Sequence, residues 1–318
     1  MVGLPLAVEH FAGPPHWEWY IWGYFFLAGL TGGCYALAAI LRLWGEPSDE
    51  VAARLGFYAA FGSLILCPIL LSIDLGQPLR FWHMMTNTTP GVTAANFKSW
   101  SPMSVGVWAL LVYGFFATVT FLAALGKDLG GGWARAGEAM DGVPGRVFVL
   151  VGGLLGLFIA SYTGVLLSVS NQPVWSDTWS LGGLFLASGL SGSAALMTLL
   201  VRRRPEAAPT GERLRQAEGY FALLELALIV LFFVTVGVAG TLGQALGGAW
   251  WLLWLLVLVS LAPPLAGLAG WRPVSMGAGA EGGGVMVSRL LAGVTWVPLL
   301  VLLGVLALRA AVIFGAQS

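Results

Sequence analysis

The residues of this sequence with chemistry to offer are polar groups carried inside long apolar runs. His16, Tyr20 and Tyr24 follow one another at intervals of four, which places them on one stripe of a helix. Tyr162 stands between Ser161 and Thr163 in a second apolar run, and Asp74 ends a third, with Arg80 and His83 just beyond. Phenols, an imidazole and a carboxylate among aromatic walls can hold a flat, amphipathic molecule and exchange protons with it. A quinone fits that description. Glu225 is a separate case, a carboxylate between Leu224 and Leu226 inside an apolar run. Charge is expensive there and marks a functional site by default, which suits a proton relay. Each residue also has a plainer account. Tyr20 reads as an interfacial anchor, Asp74 with Arg80 as an ion pair shaping a loop, and His83 as a surface histidine. Tyr162 is open between the two readings, and Glu225 reads as a carboxyl bonding across two helices, with Tyr58 its partner at comparable depth.

What positions these residues follows from composition. Of 318 residues, 58% are hydrophobic and 9% charged, with a mean hydropathy of +0.85. Soluble domains carry about 25% charged residues, so the chain is an integral membrane protein, all-α. A spanning helix needs about 20 mostly apolar residues. Eight stretches qualify, at 17–42, 52–74, 103–125, 146–169, 179–201, 218–242, 249–270 and 287–314. They do not alternate, which excludes a β-barrel. Between them, 75–102, 126–145, 202–217 and the Gly-rich 275–284 are too short to bury cores of their own. Any catalytic domain must belong to another chain. The start, Met1 to Tyr20, has no basic segment and no small-residue cleavage site, so no removable signal peptide is read there.

Lysine and arginine set the orientation. The loops after spans one, three, five and seven carry twelve of them, against Arg80, Lys98 and Arg309 elsewhere. Both termini and the 75–102 loop are expected outside the cytoplasm, and the chain in the cytoplasmic (inner) membrane. Tyr24 then lies about 10 Å deep from the outer side at 1.5 Å per residue, and Tyr162 at a similar depth from the same side. Phe26–Gly33 and Phe185–Gly192 read alike, FLAGLTGG and FLASGLSG. Both spans run outside to inside, so a true repeat would give two parallel four-helix bundles; small-residue packing motifs that recur in any membrane protein explain the match equally. Residues 1–201, with the first bundle, and 202–318, with the basic loop and last three spans, form the expected division.

Several chemistries are excluded. Of the three histidines, His10, His16 and His83, none lies within a span, so no axial pair for haem is available and no metal site falls on one helix face. Cys34 and Cys67 make neither a disulfide framework nor a four-thiolate site. Gly282-Gly283-Gly284 has no Lys-Ser/Thr behind it and reads as a loop. With zero net charge and scattered basic residues, nucleic acid is not a partner.

Three ordered strings carry a resemblance: Phe25-Phe26-Leu27-Ala28-Gly29-Leu30-Thr31-Gly32-Gly33; Ser72-Ile73-Asp74-Leu75-Gly76-Gln77-Pro78-Leu79-Arg80-Phe81-Trp82-His83; and Ser161 to Ser168 with Gln172-Pro173-Val174-Trp175 behind it. Together they resemble the polysulfide reductase NrfD family over spans one to five; the last three spans match only in hydropathy. The resemblance implies a haem-free membrane subunit, without a redox cofactor of its own, that binds quinone or menaquinone near the outer face. It implies as partners a ferredoxin-like iron–sulfur subunit and a molybdopterin catalytic subunit, with clusters and molybdopterin held only there. The family's span-four tyrosine matches Tyr162, which would contact the quinone ring. The polysulfide reductase subunit has a first-helix histidine on the ring; Tyr24 stands at that position here, with His16 a turn or two away. Asp74 matches in type as a proton-handling group, and Arg80 falls in the same string. Glu225 lies outside the matched part. A secondary transporter and a purely structural anchor are the alternatives to this quinone-linked oxidoreductase reading, and bound quinone discriminates them.

Overall fold

The structure, a computed structural model, describes residues 16–91, 94–138, 140–269 and 296–317. Eight helices in it are long and apolar enough to cross a membrane: α1 (Trp19–Trp44), α2 (Glu50–Asp74), α3 (Pro102–Leu129), α4 (Val143–Ser168), α5 (Leu181–Val201), α6 (Ala208–Ala239), α7 (Trp251–Leu268) and α8 (Trp296–Gly315). No strand occurs among the described residues. The beginning expected for span eight at 287, Arg272, Arg289 and the Gly-rich 275–284 lie outside the described residues.

Local chemistry sets the helix ends. α3 starts at Pro102, whose missing N–H costs nothing in a first turn, and the Ser101 hydroxyl accepts from the Ser104 N–H at 3.4 Å. α6 stops at Gly240, whose φ of 83° is the left-handed cap that glycine takes without strain. The largest departure from the sequence reading is at the start of α6. Residues 208–217, expected as loop, are helical, so α6 has 32 residues and is about 48 Å long at 1.5 Å each. Hydropathy fades there because Glu212, Arg213 and Arg215 occupy those turns. The helix persists because Thr210 and Arg213 bond Asp49, at 2.6 and 2.7 Å.

The helices close into two four-membered rings, α1–α2–α3–α4 and α5–α6–α7–α8, joined chiefly along α1 and α5. These two are the most buried spans, at 78% and 72%, against 22% for α3. Glycine makes the join possible. A Cβ on Gly189 would lie 3.1 Å from the Gly29 carbonyl oxygen, and one on Gly29 would lie 3.4 Å from the Gly189 Cα. The two similar strings of the sequence therefore meet each other at the seam of the bundles, where small residues let backbones touch. Lipid leaves no hydrophobic drive between helices, so such packing and interhelical hydrogen bonds hold the seam.

Both ends of the seam are tied. On the face that carries the termini, the Trp17 N–H donates to Gln317 Oε1 at 3.0 Å. Trp22 Nε1 donates to the Leu306 carbonyl at 2.8 Å, and Trp175 Nε1 to that of Val312 at 2.7 Å. On the opposite, arginine-rich face, fully buried Asp49 links the α1–α2 turn to α6.

Candidate functional site

The first ring gathers its polar groups at the terminal end. Tyr24 comes from α1, Cys67 from α2, Tyr162 from α4, and Pro102 and Gly106 from the first turns of α3. Tyr24 is buried within the electrostatic reach of Cys67 and Tyr162. The Tyr162 hydroxyl donates to the Pro102 carbonyl, and the phenol lies directly against Gly106. Gly106 is needed for this: a Cβ there would clash with the hydroxyl end of the Tyr162 ring, 2.3 Å from its oxygen. Phe158, one turn below, stacks on that ring at 5.7 Å. The Tyr24 side chain is buried, and its hydroxyl has no hydrogen-bond partner among the described residues, which leaves a donor for a ligand's oxygen.

Tyr20 lies one turn above Tyr24, within the electrostatic reach of Asp74. Asp74 ends α2 half-buried and has no ion pair among the described residues. Arg80, exposed in the short 3-10 helix Pro78–Met84, does not pair with it. Not one residue of that segment is buried, and Leu79, Phe81 and Trp82 are all exposed. His83 packs edge-on to Trp82 at 4.0 Å. His16 is exposed beside Trp17, whose ring stacks on Trp175 at 5.0 Å. The structure thus brings Tyr24 and Tyr162 together with Tyr20 and Asp74 above them. His16 and Arg80 stay on the surface. Val174, at φ 70°, is a strained non-glycine residue that sets Trp175 into the seam.

Glu225 belongs to the other ring. It is buried on α6, facing Ser188 of α5 and Arg309 of α8, and its Oε2 has no hydrogen-bond partner among the described residues. The expected pairing with Tyr58 does not occur: Tyr58 donates to Asp128 at 2.5 Å, in the first ring. The reason is topological, because α2 and α6 belong to different rings. Arg309 is the residue that sequence reasoning misplaces. Counted by position it belongs to the C-terminal flank, yet it is fully buried in α8. Its guanidinium donates to the carbonyls of Phe25, Phe185 and Val305 and to Ser188 Oγ, at 3.0 to 3.2 Å. A cation inside the run Leu306-Ala307-Leu308-Arg309-Ala310-Ala311-Val312 is the signal that could have found it. Buried Glu218, seven residues before Glu225 on the same stripe of α6, is a second residue that the sequence reading misses. No group of three or more His, Cys, Asp or Glu among the described residues is arranged to hold a metal ion.

Fold and site define a class: a multi-pass membrane protein of two helical rings with paired buried phenols at one end. The chain belongs to the polysulphide reductase NrfD family, whose model matches residues 8–318. It is 27% identical over 303 residues to the protein NrfD of Escherichia coli, covering 86% of this chain and 92% of that protein. It is 28% identical over 229 residues to a polypeptide of the polysulfide reductase of Wolinella succinogenes, covering 70% and 69%. It is 28% identical over 198 residues to one of the subunits of the tetrathionate reductase of Salmonella typhimurium, covering 61% and 53%.

Proposed function

We propose that this chain is the quinone-reactive membrane subunit of a multi-subunit oxidoreductase, with the quinone or menaquinone site between Tyr24 and Tyr162. The observation that carries the reading is the buried Tyr24 side chain, its hydroxyl unpaired among the described residues, near a second phenol at the end of a four-helix ring. Similarity to the polysulfide and tetrathionate reductase subunits supports the class of complex. A ferredoxin-like iron–sulfur subunit and a molybdopterin catalytic subunit are the partners, and the exposed Leu79, Phe81 and Trp82 offer the docking surface.

Reducing a quinone takes two electrons and two protons. The electrons exchange with the partner's cluster above the terminal face. Tyr24 donates a hydrogen bond to a ring oxygen, and Tyr162 can join it only by exchanging the Pro102 carbonyl for that oxygen; both bonds orient the ring and stabilise charge developing there. Asp74, at the mouth of the ring, exchanges the protons with water, and Glu225 serves a second route from the arginine-rich face. That face is cytoplasmic in this reading: with Arg309 inside the membrane, the lysine and arginine count stands at twelve against two. Arg80 and His16 act at the surface, on the docked partner or on the entry of the quinone head.

The test is purification in mild detergent from the protein's own membranes, with mass spectrometry of accompanying chains and extraction of quinone. An iron–sulfur subunit, a molybdopterin protein and bound quinone are the expected companions. A chain that comes down alone and without quinone overturns the reading in favour of a transporter, and the partners without quinone favour a structural anchor.

A further inference from the structure

A cleft on the arginine-rich face, where the first ring meets the loop between α5 and α6, has a volume of about 290 Å³. Its walls are the first half of α2, the end of α3 and that loop. Asp128 anchors it: Oδ1 forms an ion pair with Arg54 Nε at 2.9 Å, and Oδ2 accepts from the Tyr58 hydroxyl at 2.5 Å. Both its oxygens are committed. Arg54 is thereby held in place with its two terminal nitrogens, four of its five N–H donors, bonded to nothing among the described residues. Across the cleft, the side chains of Arg204 and Glu206 are exposed and unpaired among the described residues. The cleft offers two cations and one uncommitted carboxylate within a few ångströms of apolar Val51 and Leu55.

An apolar track leaves this cleft along α2. Leu55, Gly62, Leu66 and Ile69 are spaced by seven, four and three residues, which keeps them on one face of the helix. The last three are exposed, and a Cβ on Gly62 would meet nothing within 4 Å. Exposed Trp44 and Trp133 sit at the same end of the bundle, where tryptophan marks the headgroup level of a membrane.

We propose that the cleft binds the headgroup of one aminophospholipid of the phosphatidylethanolamine class, with an acyl chain along the α2 track. Charge complementarity selects it. The phosphate accepts from Arg204 and the free nitrogens of Arg54, as in other basic pockets between membrane helices. The primary ammonium donates to Glu206. A soluble phosphate has no use for Glu206 or the track, a glycerol headgroup offers Glu206 neutral hydroxyls but no cation, and a choline headgroup has no N–H to give it.

The test is native mass spectrometry of the full chain in mild detergent, titrated with phosphatidylethanolamine, phosphatidylcholine, phosphatidylglycerol or inorganic phosphate. One phosphatidylethanolamine per chain is expected, held about tenfold more tightly than phosphatidylcholine, a difference one charge-assisted contact supplies. Arg204→Ala and Glu206→Ala should each weaken it by a similar factor. Both side chains are exposed, so an unchanged thermal midpoint serves as the folding control. Equal retention in both variants, phosphatidylglycerol binding as tightly as phosphatidylethanolamine, or displacement of lipid by inorganic phosphate would each overturn the proposal.

Discussion

Arg309 Nε, on the last helix, donates to the Phe25 carbonyl, on the first, at 3.0 Å. The same guanidinium reaches the Phe185 carbonyl of α5 at 3.2 Å, so one side chain spans both helices of the seam. Its ring of carbonyls and one hydroxyl meets the cost of burying a cation in a low-dielectric interior. Gly29 gives it room, since a Cβ there would stand 2.6 Å from Nη2.

Replacing Arg309 with leucine removes four hydrogen bonds, three of which tie the last helix to the first and fifth, and takes the cation away from buried Glu225. Charged hydrogen bonds of this kind are worth about 1.5–3 kcal/mol each, and the expected loss of stability is about 3 kcal/mol or more. Lysine should not rescue it, because one ammonium cannot reach carbonyls on two helices as the planar fork does. Denaturant unfolding in detergent measures both variants. Equal stability of Arg309→Lys and the parent would show that charge alone suffices.

The eight helices are legible in the sequence because hydropathy records a thickness. Two bundles are suggested by a pair of similar glycine-rich strings, but that the strings touch each other is visible only in the structure. Arg309 is misplaced because a count of charges near helix ends does not ask whether a cation can be solvated by backbone. Residues 208–217 are misread for the mirror reason: what keeps them helical is a bond to Asp49, some 160 positions away. The approach of Tyr24 to Tyr162 follows from equal depth on adjacent helices, which spacing can suggest. Gly106 cannot be found that way, since its meaning lies in the ring it faces.

Gly106 and Tyr162 form one such contact. Gly106→Ala must push the Tyr162 ring aside and break its bond to Pro102, while Tyr162→Phe removes the hydroxyl in place. General acid–base or positioning roles are worth about 10²-fold or more, so quinone turnover of the assembled complex should fall by roughly that factor in both. Assembly should survive in Tyr162→Phe. Parental turnover in that variant would remove Tyr162 from the chemistry.

Asp49 is buried and gathers the Glu46 N–H at 2.8 Å, the Thr210 hydroxyl at 2.6 Å and Arg213 at 2.7 Å. Asp49→Ala leaves those donors without their acceptor, at a cost of about 2 kcal/mol. The start of α6 is the part that should loosen. The neighbouring Arg202 to Arg204 are exposed, so limited trypsin digestion of the detergent-solubilised protein should cut there faster in Asp49→Ala than in the parent. Unchanged digestion would mean that helix propensity alone holds this end of α6.

On α5 and α6, four buried polar atoms lack hydrogen-bond partners among the described residues: Ser191 Oγ, Thr198 Oγ1, Glu218 Oε1 and Glu225 Oε2. Native interiors leave few such atoms unless ordered water bridges them. The two carboxyls are about 10 Å apart along α6, at seven residues of 1.5 Å, a span that bridging water can cover. The Ser188 hydroxyl already accepts from Arg309, so its own proton is available to Glu225. If this row carries protons from the arginine-rich face, Glu225→Gln should slow proton uptake by vesicles while leaving quinone affinity near the parental value, and Glu218→Gln should do the same. A merely structural carboxyl would give the opposite pattern, with parental proton uptake and a lowered unfolding midpoint, because glutamine keeps the shape but not the acid.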